Sequence, residues 1–223
     1  MIRTAATPYA SAPFAHFLES YGPREPLDCL LLGMNPGPWG MTQTGMPLAD
    51  PFTATTHLAL TGQVTAPGGT HPRVPVTGFN SQKTEGSATA VSTWMCQRWG
   101  FVASYYLFGF VMNFCPLLML DDGGNNITPA DLCISHPSLG ALRDLCDAYL
   151  ACVIWLYEPS WIITLGGYTQ KRVAHVLRLT GLHETLQPLR LLHPSNLASS
   201  HWSSKFPSWA AYADARLLEA GFP

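Results

Sequence analysis

Residues 27–50 read LDCLLLGMNPGPWGMTQTGMPLAD, and the way this stretch divides decides the fold. Residues 27–32 form a near-continuous apolar run of strand length. Such a run suits a central strand buried on both faces, the pattern of parallel sheets. At Gly33 the character changes: Gly33, Pro36, Gly37, Pro38, Gly40, Gly45 and Pro47 fall within fifteen residues. Proline fixes φ and glycine permits sharp bends, so a stiff loop follows the strand. Asn35 lies in that loop, just past the strand's carboxyl end. In open α/β sheets, ligands bind in the crevice beyond those ends.

The loop is not a phosphate cradle. It holds no G-x-G-x-x-G, and no Lys-Ser or Lys-Thr pair follows. Pro36 and Pro38 also lack the N–H groups that a cradle needs. Spacing alone leaves two readings open, a rigid βα connection without chemistry and a functional loop at a strand end.

Outward from this centre, helices and strands alternate. Phe14, Phe17, Leu18 and Tyr21 give residues 9–21 a helical period, ended by Gly22-Pro23. A helix is expected over 51–63, with Pro51 in its first turn. Residues 64–87, with His71, Lys83 and Glu85, read as a long polar surface loop of the length that is usually functional or mobile. A helix over 89–99 follows, with Trp94 and Trp99 assigned to the core. The next strand, 104–113, ends in Asn113. After a turn at 121–126, a helix starts near 128–131 and a long one covers 139–156. A strand at 161–165 leads through Gly166-Gly167 into a helix over 168–179. The strand at 188–192 delivers His193, and a helix over 207–220 closes the chain. This alternation implies an α/β fold, a three-layer α-β-α sandwich around a central four-stranded parallel sheet. No repeat or linker interrupts it, so residues 1–223 are expected to form one domain.

Composition narrows the function classes. The chain has 223 residues, 47% of them apolar and 12% charged, which supports a sizeable core and argues against disorder. No run approaches the roughly 18 apolar residues of a membrane helix, and no apolar leader is seen, so neither membrane insertion nor secretion is expected. The cysteines at 29, 96, 115, 133, 146 and 152 form no Cys-x-x-Cys and no zinc spacing. Structural thiols of a reducing cytosol are expected, with no metal, iron–sulfur cluster or other cofactor. A net charge of −2 argues against a generic DNA-coating protein but not against a DNA enzyme with a local basic face.

Four stretches together resemble a known family. Gly33-Met34-Asn35-Pro36-Gly37-Pro38-Trp39-Gly40-Met41, with Gln43-Thr44-Gly45 and Pro47, is similar to the first motif of the single-strand-selective monofunctional uracil-DNA glycosylases. Asn113-Phe114-Cys115-Pro116-Leu117, Asn126-Ile127-Thr128-Pro129 and His193-Pro194-Ser195 follow in the family's order. The resemblance covers nearly the whole chain. It implies a monomeric enzyme that flips uracil, and 5-hydroxymethyluracil, out of DNA and hydrolyses the N-glycosidic bond in base-excision repair.

The resemblance also assigns roles. Asn35 holds the attacking water and His193 donates to O2 of the departing base. Asn113 reads the base: an amide can donate to O4 and accept from N3–H, where cytosine presents the opposite polarity. Gly33 and Met34 are expected in the base site. Gly37 leaves room beside C5, where a bound water disfavours the methyl of thymine. Two positions depart from the family. Leu48 stands where an aromatic usually stacks on the base, so stacking is weaker or Trp39 substitutes. The loop after Ser195 is shorter than in familiar members and lacks their proline and arginine. Leu197 is the candidate wedge for the flipped base's gap, with an ordinary loop leucine as the alternative. Pro194, Ser195 and Asn196 would contact DNA, and Lys171 with Arg172, at a helix start, would hold a phosphate. Alternatives are a same-fold glycosylase for deaminated purines, a non-catalytic module for abasic or single-stranded DNA, and, more remotely, a nucleotide-binding protein.

Overall fold

A computed structural model describes residues 2–4, 8–132 and 138–223. Its seven strands are β1 (Ile2–Thr4), β2 (Cys29–Gly33), β3 (Gly109–Asn113), β4 (Leu117–Leu120), β5 (Asn126–Ile127), β6 (Trp161–Leu165) and β7 (Pro188–Leu191). Four of them form a parallel sheet in the order β3-β2-β6-β7. β2 lies inside, and all five of its residues are buried. Leu31 stands between Val111 and Ile163 across the sheet, so the apolar run packs on apolar neighbours on both sides. Each fully buried leucine there contributes about 1.5–3 kcal/mol.

Helices flank this sheet, giving the three-layer arrangement the alternation implied. Gly86–Trp99 packs against Trp209–Glu219, and Ser138–Tyr157 against Gly167–Thr180. Trp94 joins the first pair: its Nε1 donates to Asp214 at 2.9 Å, and its ring meets those of Trp99 and Trp209 edge-on. Both Trp94 and Trp99 therefore pack in the interior, as expected. Ser208 caps the last helix by accepting from the Ala211 N–H at 3.1 Å. Cys29 and Cys115 are buried free thiols, and Cys133 lies outside the described residues.

Several expectations are corrected. A second, three-stranded antiparallel sheet, β1-β4-β5, was not foreseen. Its strands are two to four residues long, too short for an alternating pattern to register. The expected strand over 104–113 is two elements, a helical turn Val102–Tyr105 and β3. Tyr105 folds its ring over the Cα of Gly109, where a side chain would collide. The expected helix over 51–63 shrinks to a short segment with a π-helical part, Thr53–His57. Threonine is stiff at χ1, and Thr55 donates back to the Pro51 carbonyl at 2.7 Å, which competes with regular α-helix. Finally, the loop before Gly86 is not purely surface, since Val74, Val76 and Gly78 are buried in it.

Candidate active site

The carboxyl ends of β2, β3 and β7 open on the same side of the sheet. Asn35, Asn113 and His193 line one cavity of about 400 Å³, within the range of small-ligand sites. Gly33, Met34, Gly37, Leu48, Pro194 and Ser195 line it as well.

Asn113 ends β3 directly opposite Gly33 at the end of β2. Beyond them the ladder continues, with Phe114 N–H donating to the Gly33 carbonyl and Cys115 N–H to that of Met34, both at 2.9 Å. The Asn113 side chain lies across Gly33, and any Cβ at that glycine would run into Oδ1. Asn113 Nδ2 meets only the soft sulfur of Met41, at 3.2 Å. Oδ1 is buried with no hydrogen-bond partner. An orphaned buried acceptor is costly in a folded protein, and here it belongs to a residue of the cavity wall.

Asn35 donates through Nδ2 to Asn126 Oδ1 at 3.1 Å and to the Pro36 carbonyl at 3.2 Å. Asn126 and Thr128, the first and third residues of the Asn-Ile-Thr-Pro stretch, are themselves part of the wall.

His193 follows β7 and lies beside Gly166, the residue before the helix Gly167–Thr180. Burial pushes its imidazole below the ordinary value of 6.5, so the ring is neutral at pH 7. The Ser195 N–H donates to Nδ1 at 3.2 Å. A neutral ring that accepts at Nδ1 carries its proton on Nε2, which leaves one N–H donor free.

The motif loop is locked around these groups. Gln43, fully buried, uses both ends of its amide. Nε2 donates to the Pro38 and Pro75 carbonyls at 3.0 Å, and Oε1 accepts from the N–H groups of Thr77 and Gly78. Thr42 donates to the Gly37 carbonyl at 2.7 Å. Leu48 is held at φ 51°, a left-handed conformation costly for a leucine, and forms part of the cavity's apolar wall.

Glu85 belongs to the site, and reading the sequence placed it only in a long loop. Asp50 brings it in: Oδ1 accepts from the Thr53 N–H at 2.8 Å, and Oδ2 from the Glu85 N–H at 2.9 Å. The Glu85 carboxyl fills the space beside Gly37 and Gly40 that side chains would otherwise occupy. Ser87 donates to its Oε1 at 2.9 Å, and the backbone of Trp39 and Gly40 also lies against the carboxyl. Burial pushes the carboxyl up, and the Ser87 hydroxyl only partly offsets that. The available signal was the pair Gly37 and Gly40, two glycines in one loop that make room for a distant side chain.

Other residues fall elsewhere. Trp39 is outside the cavity and is not its stacking platform: its ring packs on Val74, Leu118 and Leu120, with Lys83 Nζ 3.8 Å from its centre. Lys171 is exposed on the helix Gly167–Thr180, away from the cavity wall. Arg172 beside it turns inward, its Nε donating to Asp147 at 3.0 Å, and so is not free to hold a phosphate. Asn196 and Leu197 open a short helix, Asn196–Ser199, but their side chains lie outside the described residues. Among the described residues no group of three His, Cys, Asp or Glu is placed to hold a metal ion.

Fold and cavity together define an α/β protein with a polar crevice at the carboxyl ends of a parallel sheet. Over 99% of its length the chain is similar in structure to SMUG2 of Pedobacter heparinus, with a TM-score of 0.67, 16% identity and 87% of that chain covered, a likeness of fold. No protein-family model matches. Three relatives have higher sequence identity. The chain is 34% identical to the single-strand selective monofunctional uracil-DNA glycosylase of Rattus norvegicus, over 96% of this chain and 73% of that protein. The proteins of the same name from Mus musculus and Bos taurus are 33% and 34% identical over the same share of this chain, with 73% and 75% of their own lengths covered. The chain belongs to the single-strand selective monofunctional uracil-DNA glycosylase family.

Proposed function

We propose that this protein is a monofunctional DNA glycosylase. It takes uracil, and 5-hydroxymethyluracil, extruded from DNA and hydrolyses the N-glycosidic bond to leave an abasic site for base-excision repair. The observation that carries this reading is the unsatisfied Asn113 Oδ1, on a residue that lines the same cavity as the neutral His193. A uracil edge supplies what that amide lacks, an N3–H for Oδ1 and an O4 acceptor for Nδ2. Cytosine presents an unprotonated N3 there, so both sides of the contact would be mispaired.

The base leaves as a delocalised anion while the sugar passes through an oxocarbenium-like state. His193 Nε2–H donates to O2 as charge builds there, and a preorganised donor of this kind contributes about 3–4 kcal/mol. Asn35 orients the water. A neutral amide is a poor base, which suits a dissociative reaction that needs only a weak nucleophile. Glu85 and Ser87 make the wall beside Gly37 polar, which suits a hydroxymethyl substituent and penalises a methyl that would strip that wall of water. Among the described residues no lysine lines the cavity to form a Schiff base, so strand cleavage is not expected.

The test is incubation with single- and double-stranded oligonucleotides carrying uracil, 5-hydroxymethyluracil, hypoxanthine, xanthine or thymine, scored as alkali-labile sites. Product from the first two substrates is expected. Product from the purines alone would move the assignment to deaminated purines, and no product from any would remove it.

A further inference from the structure

We propose that Asn126 is a positioning residue that fixes which end of the Asn35 amide faces the cavity. This rests on the reading of Asn35 as the group that orients the attacking water. An asparagine side chain is nearly symmetric in shape, so packing alone does not choose between its oxygen and its nitrogen. Only hydrogen-bond polarity chooses, and here it descends from a backbone atom. The Pro36 carbonyl can only accept. Asn126 Nδ2 donates to it at 3.3 Å, which turns Asn126 Oδ1 towards Asn35. Asn35 must then answer with its Nδ2, at 3.1 Å, and the same nitrogen also donates to the Pro36 carbonyl. Reversing Asn126 would set oxygen against the Pro36 oxygen and donor against donor at Asn35. With Nδ2 engaged on that side, Oδ1 is the end of Asn35 left for the cavity that this residue lines. An oxygen there accepts a hydrogen from water and leaves the water's lone pair for the anomeric carbon. An NH2 group there would occupy that lone pair instead.

The second sheet supplies the rigidity this needs. Asn126 lies in β5, paired with Leu120 of β4. On one side of it, the Asn125 N–H and Nδ2 both donate to Asp121 at 2.8 Å, closing the turn. Arg73 Nη1 donates to the Gly123 carbonyl in that turn at 2.9 Å. On the other side, the Thr128 N–H donates to Asp131 at 2.9 Å. The unforeseen small sheet therefore holds one amide against the motif loop of the large one.

The experiment is a double-mutant cycle: wild type, Asn35→Ala, Asn126→Ala and the double variant, compared by single-turnover rate and KM on a uracil oligonucleotide, with Tm recorded for each. Asn126→Ala is expected to lower the rate about tenfold to a hundredfold with KM little changed. It should cost nothing further in the Asn35→Ala background, because its only route to the reaction is through Asn35. An equal loss from Asn126→Ala in both backgrounds overturns the proposal while leaving the role of Asn35 standing. A wild-type rate for Asn35→Ala overturns the role of Asn35 and this proposal with it. Should the alanine variant lose its fold, Asn126→Leu, of similar bulk and without hydrogen bonds, takes its place in the cycle.

Discussion

The crevice has two sides built by different means. One is the row of strand ends, where Asn35, Asn113 and His193 follow β2, β3 and β7. The other is brought from outside the large sheet: Glu85 from a loop, tied down by Asp50, and Asn126 from the small sheet. The first side carries groups that would touch the reacting base and sugar. The second side shapes and orients the first. Loss of a residue should therefore act differently on the two sides: directly on the rate on the strand-end side, and on the imported side through stability or through the geometry of the strand-end groups.

The largest expected effect lies on the strand-end side. His193→Ala removes the Nε2–H donor and should lower the single-turnover rate about 10²- to 10³-fold while the melting temperature stays near wild type. The pH profile sharpens the same point. Because burial holds His193 below its ordinary 6.5, the neutral ring persists into mildly acidic solution. The rate should stay level at neutral pH and fall only below the usual imidazole range, where Nδ1 gains a proton and can no longer accept from Ser195. An acid limb centred above 6.5 would contradict this.

Next in size is the staple of the motif loop. Gln43→Ala removes the partner of two part-buried carbonyls, of the Thr77 N–H and of the buried Gly78 N–H, so a loss of about 1–3 kcal/mol in unfolding free energy is expected by denaturant titration. A smaller effect tests the coupling of the two sides. Gly37→Ala drives a methyl into the Glu85 carboxyl, which should cost about 1–3 kcal/mol in the wild type and clearly less in a Glu85→Ala background. Equal costs in both backgrounds would separate the two sides that the structure joins.

The same division explains what was legible in the sequence. Cys29–Gly33 and Trp161–Leu165 announce themselves because a strand buried on both faces is apolar at nearly every position, a local property. Asn35, Asn113 and His193 were legible because each lies at a strand's carboxyl end or two residues past it, within a recognisable motif. Glu85 was not, since its burial depends on Asp50 and on two glycines more than forty residues earlier. Trp39 misled in the opposite direction: it stands inside the motif, but Lys83 and the Val74–Leu118 cluster draw its ring away. β4 and β5 went unseen because four and two residues carry too little periodicity, although the Asn-Ile-Thr-Pro stretch already marked the place.

The central claim is that a strand-end amide selects uracil inside this crevice. The most direct measurement is the rate of free uracil release from a single-stranded oligonucleotide by the wild type and by Asn113→Ala. The account predicts one abasic site per uracil released by the wild type, and release at least about a hundredfold slower from the variant. No uracil released by the wild type, or equal release by Asn113→Ala, would contradict it.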